Sequence, residues 1–207
     1  MFESSETVTT DRRQLRREST RSEILDEAWA LCRDVGLAGL SMRELAKRVG
    51  LRAPSLYSYF DSKDAIYDAM FRQGYEQLRD HMGDYMGPQP VTRERLKEGV
   101  RHYVEFCVAD TTRYQLLFQR TIPGFEPSAE SYAVAVLALE DSSRALSAAG
   151  IEGDAALDMW TGLLSGLTAQ QISNDPGGER WIRLLDDAID MFLDHYGALP
   201  RKKGSRK

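Results

Sequence analysis

The chain has 207 residues, 42% of them hydrophobic, with a formal net charge of −5. That length suits one large or two small domains, and the composition allows a buried core. Its two cysteines, Cys32 and Cys107, stand far apart without partner motifs, which argues for a reducing compartment and against a disulfide or zinc framework. No apolar run approaches a membrane span and no signal peptide opens the chain, so a soluble, cytoplasmic protein with no membrane partner is expected.

The charge is unevenly spread. From Arg12 to Lys63 there are 11 basic residues against 7 acidic; from Ile66 to Pro200 there are 11 basic against 21 acidic, and the last seven residues add five basic ones. A basic module on an acidic body suits a protein that meets a polyanion at one end only.

Residues 1–18 are polar, with Arg12, Arg13, Arg16 and Arg17 close together, and read as a disordered arm. Such an arm is either a solvated tail or a segment that seeks phosphates or a minor groove. Thr20 and Glu23 form a capping box, after which Ile24, Ala28, Leu31, Cys32 and Val35 recur at helical spacing until Gly36.

The stretch from Ser41 to Phe60 predicts two short helices and a tight turn. Ser41 with Glu44 is a second capping box, and Leu45, Ala46 and Val49 share one face. Gly50 supplies the left-handed turn, and Pro54 suits the first turn of the second helix. Leu56 and Phe60 face the core, leaving Ser55, Tyr57, Ser58 and Tyr59 around the outside with Arg52 at the entrance. Small Ala46 permits close approach, and the turn has helix-turn-helix length.

Asp61 is predicted to cap a long helix over about 62–85, broken up by Gly83, Gly87, Pro88 and Pro90. Further helices are predicted over 92–109, 113–119 and 128–149, and over 154–173 with Asp154 as its cap. After the turn Asn174-Asp175-Pro176-Gly177-Gly178, the last is predicted over 179–196. Nothing has the alternation of a strand. The predicted fold is all-α, about nine helices: a disordered basic arm at 1–18, a three-helix helix-turn-helix domain at 19–66, a larger helical ligand-binding and dimerisation domain at 67–197, and a disordered basic tail at 198–207.

Residues about 20–66 resemble the DNA-binding domain of the TetR family of bacterial transcriptional regulators. The resemblance is carried by Ile24 and Ala28, Val35-Gly36-Leu37, Ser41-Met42-Arg43-Glu44-Leu45-Ala46, Val49-Gly50-Leu51 and above all Leu56-Tyr57-Ser58-Tyr59-Phe60-Asp61-Ser62-Lys63. Many members have His where Tyr59 stands, and Tyr keeps an aromatic body and a hydrogen-bond donor. The resemblance implies DNA contacts at Arg43, Pro54, Ser55, Tyr57, Ser58, Tyr59 and Lys63, with Ser41, Arg52 and Ala53 beside them. It implies a small-molecule pocket in the body, for which Met82, Tyr103, Phe106, Cys107, Tyr114, Phe118, Tyr132 and Trp160 are candidates that serve equally as plain core. It also implies a homodimer through the last two long helices, with Gly162, Leu163, Gly166, Leu167, Gln170, Leu185, Ile189 and Phe192 at the interface. Gly162 and Gly166 clear a groove for a close helix, either from a second subunit or from the same one.

Other chemistry is sparse. No phosphate-binding glycine loop, metal-ligand spacing or nucleophile–base constellation occurs, so no cofactor, metal or catalytic residue is expected. His81, His102 and His195 are isolated, and the Asp186, Asp190, Asp194 stripe reads as a solvated helix face. The reading is a DNA-binding regulator, a repressor released from a near-palindromic double-stranded operator by a small-molecule inducer. The alternatives are a helical interaction protein and an all-helical enzyme.

Overall fold

The computed structural model describes residues 4–85 and 90–200. Among the described residues the regular structure is nine α-helices and three short 3-10 turns, with no strand. The chain divides into two compact units. One comprises the residues up to Phe71 with Gln115–Ser131; the other comprises Arg72–Tyr114 and the chain from Tyr132 onward.

Helix α1 spans Ser4–Val35. It does not begin at Thr20: that hydroxyl donates to the Arg16 carbonyl, one turn back, at 3.0 Å, a mid-helix geometry. Residues 4–18 are helical where a disordered arm was expected. Arg, Gln, Leu and Glu are strong helix formers, and Gln14 bonds Glu18 one turn on at 3.0 Å. Residues 1–3 lie outside the described residues, as do 201–207.

The first unit continues with a 3-10 turn at Leu37–Gly39, α2 at Met42–Arg48, α3 at Ala53–Leu56 and the start of α4, which spans Lys63–Met82. Its core joins Ile24, Ala28, Leu31 and Cys32 of α1 to Leu45 and Ala46 of α2, Leu56, Phe60, and Ile66, Tyr67 and Met70 of α4. Each large apolar side chain buried here contributes roughly 1.5–3 kcal/mol. The buried Tyr67 hydroxyl donates to the Leu37 carbonyl, and Arg48 pairs with Asp34 at 2.7 Å. The cap of α4 is Ser62, whose hydroxyl accepts from the Ala65 N–H at 3.0 Å, and not Asp61, which accepts from Ser62. The helix ends at Met82, followed by a 3-10 turn at Gly83–Tyr85; Gly87 and Pro88 lie outside the described residues.

The remaining helices are α5 (Arg93–Ala109), α6 (Thr111–Phe118), α7 (Ala129–Ala148), α8 (Asp154–Asn174) and α9 (Leu185–His195). Gly153 precedes α8 at φ 99°, so Asp154 is its first helical residue and not its cap. The second unit's core joins Leu96, Val100 and Val104 of α5 to Trp160 and Leu164 of α8 and to Leu185, Ile189, Phe192 and Leu193 of α9. The last helix starts later than predicted, because side chains hold its approach. Buried Gln171 accepts from the Trp181 and Ile182 N–H groups at 2.9 and 3.3 Å and donates to the carbonyls of Asp175 and Gly178. A 3-10 turn at Ile182–Leu184 follows.

The aspartate stripe of α9 is not a solvated face. Arg101 reaches Asp186, Lys97 and Arg93 reach Asp190 at 2.8 Å, and Arg93 reaches Asp194 at 2.7 Å. Arg93, Lys97 and Arg101 recur every four residues on α5 as the aspartates do on α9, so the two stripes meet as a ladder. Arg93 also donates to the Ala198 and Leu199 carbonyls, at 3.2 and 2.9 Å, which anchors the first residues of the expected tail.

Candidate nucleic-acid interface

The α2–α3 pair is built by its caps. Ser41 accepts from the Glu44 N–H at 3.5 Å and starts α2. At the other end the Leu51 N–H bonds the Ala46 carbonyl (2.8 Å) and the Gly50 N–H bonds the Lys47 carbonyl (3.2 Å), with Gly50 at φ 67°. This double closure is a Schellman turn, and its positive φ is the reason for glycine there. Pro54 lies in the first turn of α3, and the Ser58 hydroxyl donates back to the Ser55 carbonyl at 2.7 Å.

Burial then sorts the side chains. Leu45, Ala46, Leu56 and Phe60 are buried. Ser41, Arg43, Arg52, Pro54, Ser55, Tyr57 and Ser58 are exposed together on the same two helices and their flanks. Ala53 and Tyr59 are half-buried and pack on the core. The half-buried Lys63 is tied inward: its ammonium donates to the Ala38 carbonyl at 3.0 Å and lies 5.4 Å from the Tyr67 ring centre. Two of its three donors stay unspent by that bond.

Two arginines of α1 adjoin these residues: Arg17, expected only as part of a solvated or phosphate-seeking arm, and Arg21, not singled out by the sequence. Arg17 donates to the Ser58 carbonyl at 2.8 Å and lies over the Tyr59 ring; Arg21 donates to the Tyr59 carbonyl at 2.6 Å and lies 4.0 Å from the Phe60 ring centre. Burial, and then the neighbouring Arg17 charge, pull Arg21 below the usual arginine range. A signal for them exists in the sequence: Arg17 and Arg21 continue the Ile24, Ala28, Leu31 spacing backwards along α1. Taking 1–18 as an arm hid it.

The body candidates separate. Tyr103, Cys107 and Tyr114 come together with Tyr75. Burial pushes the Cys107 thiol up to about 12 against the opposing Tyr103 hydroxyl, which donates to it, and this favours the neutral thiol over the nucleophilic thiolate. Burial likewise pushes Cys32 up to about 11. Met82 and Phe106 are buried, the latter under the Arg113 guanidinium at 3.6 Å. Trp160 stacks on Phe192 at 5.1 Å inside the α5–α8–α9 core, and Tyr132 is exposed. Phe118 falls in the unit that holds α2 and α3. His81 and His102 are not isolated: their rings lie 5.5 Å apart, and His102 meets Glu105 at 2.9 Å. Among the described residues no cluster of three or more His, Cys, Asp or Glu side chains is placed to hold a metal ion.

Of the expected interface residues, Leu185, Ile189 and Phe192 are buried in their own unit and have no surface to offer a partner. Leu163 and Leu167 are partly buried against that core. Gly162, Gly166 and Gln170 are exposed, and a Cβ at either glycine would meet nothing within 4 Å. Among the described residues, therefore, no neighbour packs closely on either glycine.

These features define the class: an all-helical protein with a capped helix-turn-helix that exposes hydroxyl, aromatic and cationic side chains. The family profile for bacterial regulatory proteins of the tetR family matches residues 24–70. The activator FasR of Mycolicibacterium smegmatis is 28% identical over 106 residues, 51% of this chain and 48% of FasR. The class C tetracycline repressor of Escherichia coli is 42% identical over 50 residues, 24% of this chain and 23% of that protein. The chain spans less than half the length of these two relatives. The TetR-family regulator PfmR of Thermus thermophilus shares the fold across 86% of this chain and 99% of its own, with a TM-score of 0.61 and 20% identity. Residues 24–70 are thus similar to the DNA-binding region of the tetR family, and the fold as a whole is similar to that of its members.

Proposed function

We propose that the protein is a transcriptional regulator that binds a near-palindromic operator as a homodimer and is released from it by a small molecule. The observation that carries this reading is the sorting of α2 and α3: their apolar residues are buried in the unit's own core, and Arg43, Arg52, Pro54, Ser55, Tyr57 and Ser58 are left outside. A helix bearing such a set enters a major groove, where Arg43 reads a guanine edge, Ser55 and Pro54 touch base edges or a thymine methyl, and Tyr57, Tyr59 and Lys63 hold phosphates. Two copies would address half-sites roughly 34–36 Å apart.

Dimerisation is supported by the open face of α8. Gly162, Gly166 and Gln170 are exposed there, Met159 is 52% exposed, and on α9 Met191 is 63% exposed. The ligand reading rests on buried Tyr75, Cys107 and Tyr114 and half-buried Tyr103, polar-tipped groups within one unit. Helix α4 contributes residues to both units and is the covalent route by which a ligand's preference for one conformation would reach α3.

The test is a labelled duplex carrying the inverted repeat upstream of the protein's own gene, titrated across a salt series. Saturable binding that weakens steeply with salt and is reversed by a stabilising compound supports the reading. Absence of binding to this and to mixed-sequence duplexes would favour a helix-turn-helix that contacts protein.

A further inference from the structure

Arg17 and Arg21 are one helical turn apart on α1, and they donate to consecutive carbonyls, Ser58 and Tyr59, just after α3, the recognition helix of the proposed function. They also lie over consecutive rings, those of Tyr59 and Phe60. Both side chains are exposed, and among the described residues no carboxylate pairs with either. Two other cations of this unit differ: Arg48 has Asp34 and Lys47 has Glu44. Two like charges are therefore held together against carbonyl oxygens and ring faces alone. Each guanidinium has five donors in a rigid fork and spends one in its carbonyl bond. Such a pair, fixed in place and short of negative charge, is a seat for an oxyanion.

We propose that Arg17 and Arg21 together bind a backbone phosphate of the DNA beside the recognition helix. The inference rests on the DNA-binding reading above and adds α1 to the contact surface. The seat is on the same short stretch as the exposed Tyr57 and Ser58, so a strand that meets those side chains passes the two guanidinium groups. Because the same arginines hold the Ser58 and Tyr59 carbonyls, a phosphate bound there also fixes the end of the recognition element relative to α1. Phosphate contacts set register and orientation and carry no base information, so the seat strengthens binding to every sequence alike.

The experiment is fluorescence anisotropy of a labelled mixed-sequence duplex with the full chain, across a potassium chloride series. Arg17→Gln, Arg21→Gln, their double variant and Arg17→Lys are compared with the wild type, and circular dichroism melts confirm that each is folded. Removing one phosphate interaction should lower the slope of log K against log salt by about 0.9 per bound copy. Arg17→Gln and the double variant should lose slope, Arg17→Lys should keep most of it, and the losses should shrink at high salt. A merely structural brace predicts another pattern: weaker binding by the same factor at every salt concentration, with the slope intact. A folded double variant with wild-type slope overturns this inference and leaves the DNA-binding reading standing. A wild-type chain that binds no duplex overturns both.

Discussion

Arg43 stands exposed in the first turn of α2, two residues after its cap, and no ion pair of the described residues engages it. A guanidinium left free on that helix can read a guanine by two parallel bonds. Arg43→Ala is expected to cost about 1–3 kcal/mol on the cognate operator and to relax preference at one base pair, measured by binding to a set of single-base operator variants. Lys63 differs, because its ammonium also joins α4 to the Ala38 carbonyl. Lys63→Ala should therefore lower both the salt slope, by about one, and the melting temperature. A loss of slope with no loss of stability would show that the Ala38 bond contributes nothing. Gly50 carries a different constraint: at φ 67° an added Cβ has room but not the right backbone, so Gly50→Ala should destabilise the first unit by about 1–2 kcal/mol.

Among the elements, the α5–α9 ladder carries a pH signature in the acid range. Burial raises the Asp190 carboxyl, but bonds from Lys97 and Arg93 and their charges outweigh it, and the group is held below the usual range. A depressed folded value means stability that is present above the unfolded carboxylate value of about 3.9 and is lost as pH falls toward the folded one. Thermal melts between neutral and acid pH should steepen below about pH 4, and Asp190→Asn should flatten that limb. At neutral pH the same variant should be less stable, since it leaves Arg93 and Lys97, both buried, short of a partner. The ladder also marks where sequence reading stops. The i, i+4, i+8 aspartates were visible at once, but nothing local says that Arg93, Lys97 and Arg101, some 85–101 residues earlier, pack opposite them. By contrast α2 and α3 were legible almost residue by residue, because a cap, a left-handed glycine and an apolar pair are local devices. The starts of α1 and α9 and the cap of α4 differ from expectation where two local signals compete: a mid-helix threonine resembles a cap, Asp61 stands beside Ser62, and Gln171 holds the approach to α9 from ten residues away.

At the scale of the molecule, α8 presents an exposed face. Glycine in a helix interior costs about 1 kcal/mol relative to alanine, and α8 carries two, four residues apart and both exposed. Among the described residues nothing lies within 4 Å of where their side chains would begin, so packing among those residues does not account for them. A second copy does, if its helix lies in the groove the missing side chains leave open, and two-fold symmetry would apply the benefit twice. This sharpens the test. Gly166→Leu meets open space in the isolated subunit and replaces a poor helix former with a good one, so the variant should melt no lower than the wild type when monomeric. In a dimer the same side chain would fill the groove and be felt on both sides of the axis. Light scattering over a dilution series should then show a shift toward monomer. Affinity for a duplex with two half-sites should fall to that of a single half-site, while circular dichroism stays unchanged. A Gly166→Leu protein that remains dimeric at wild-type concentrations would place the interface elsewhere. The exposed side of α7, where Tyr132, Val136, Leu137 and Leu139 are all more than a third open, would then be the next face to substitute.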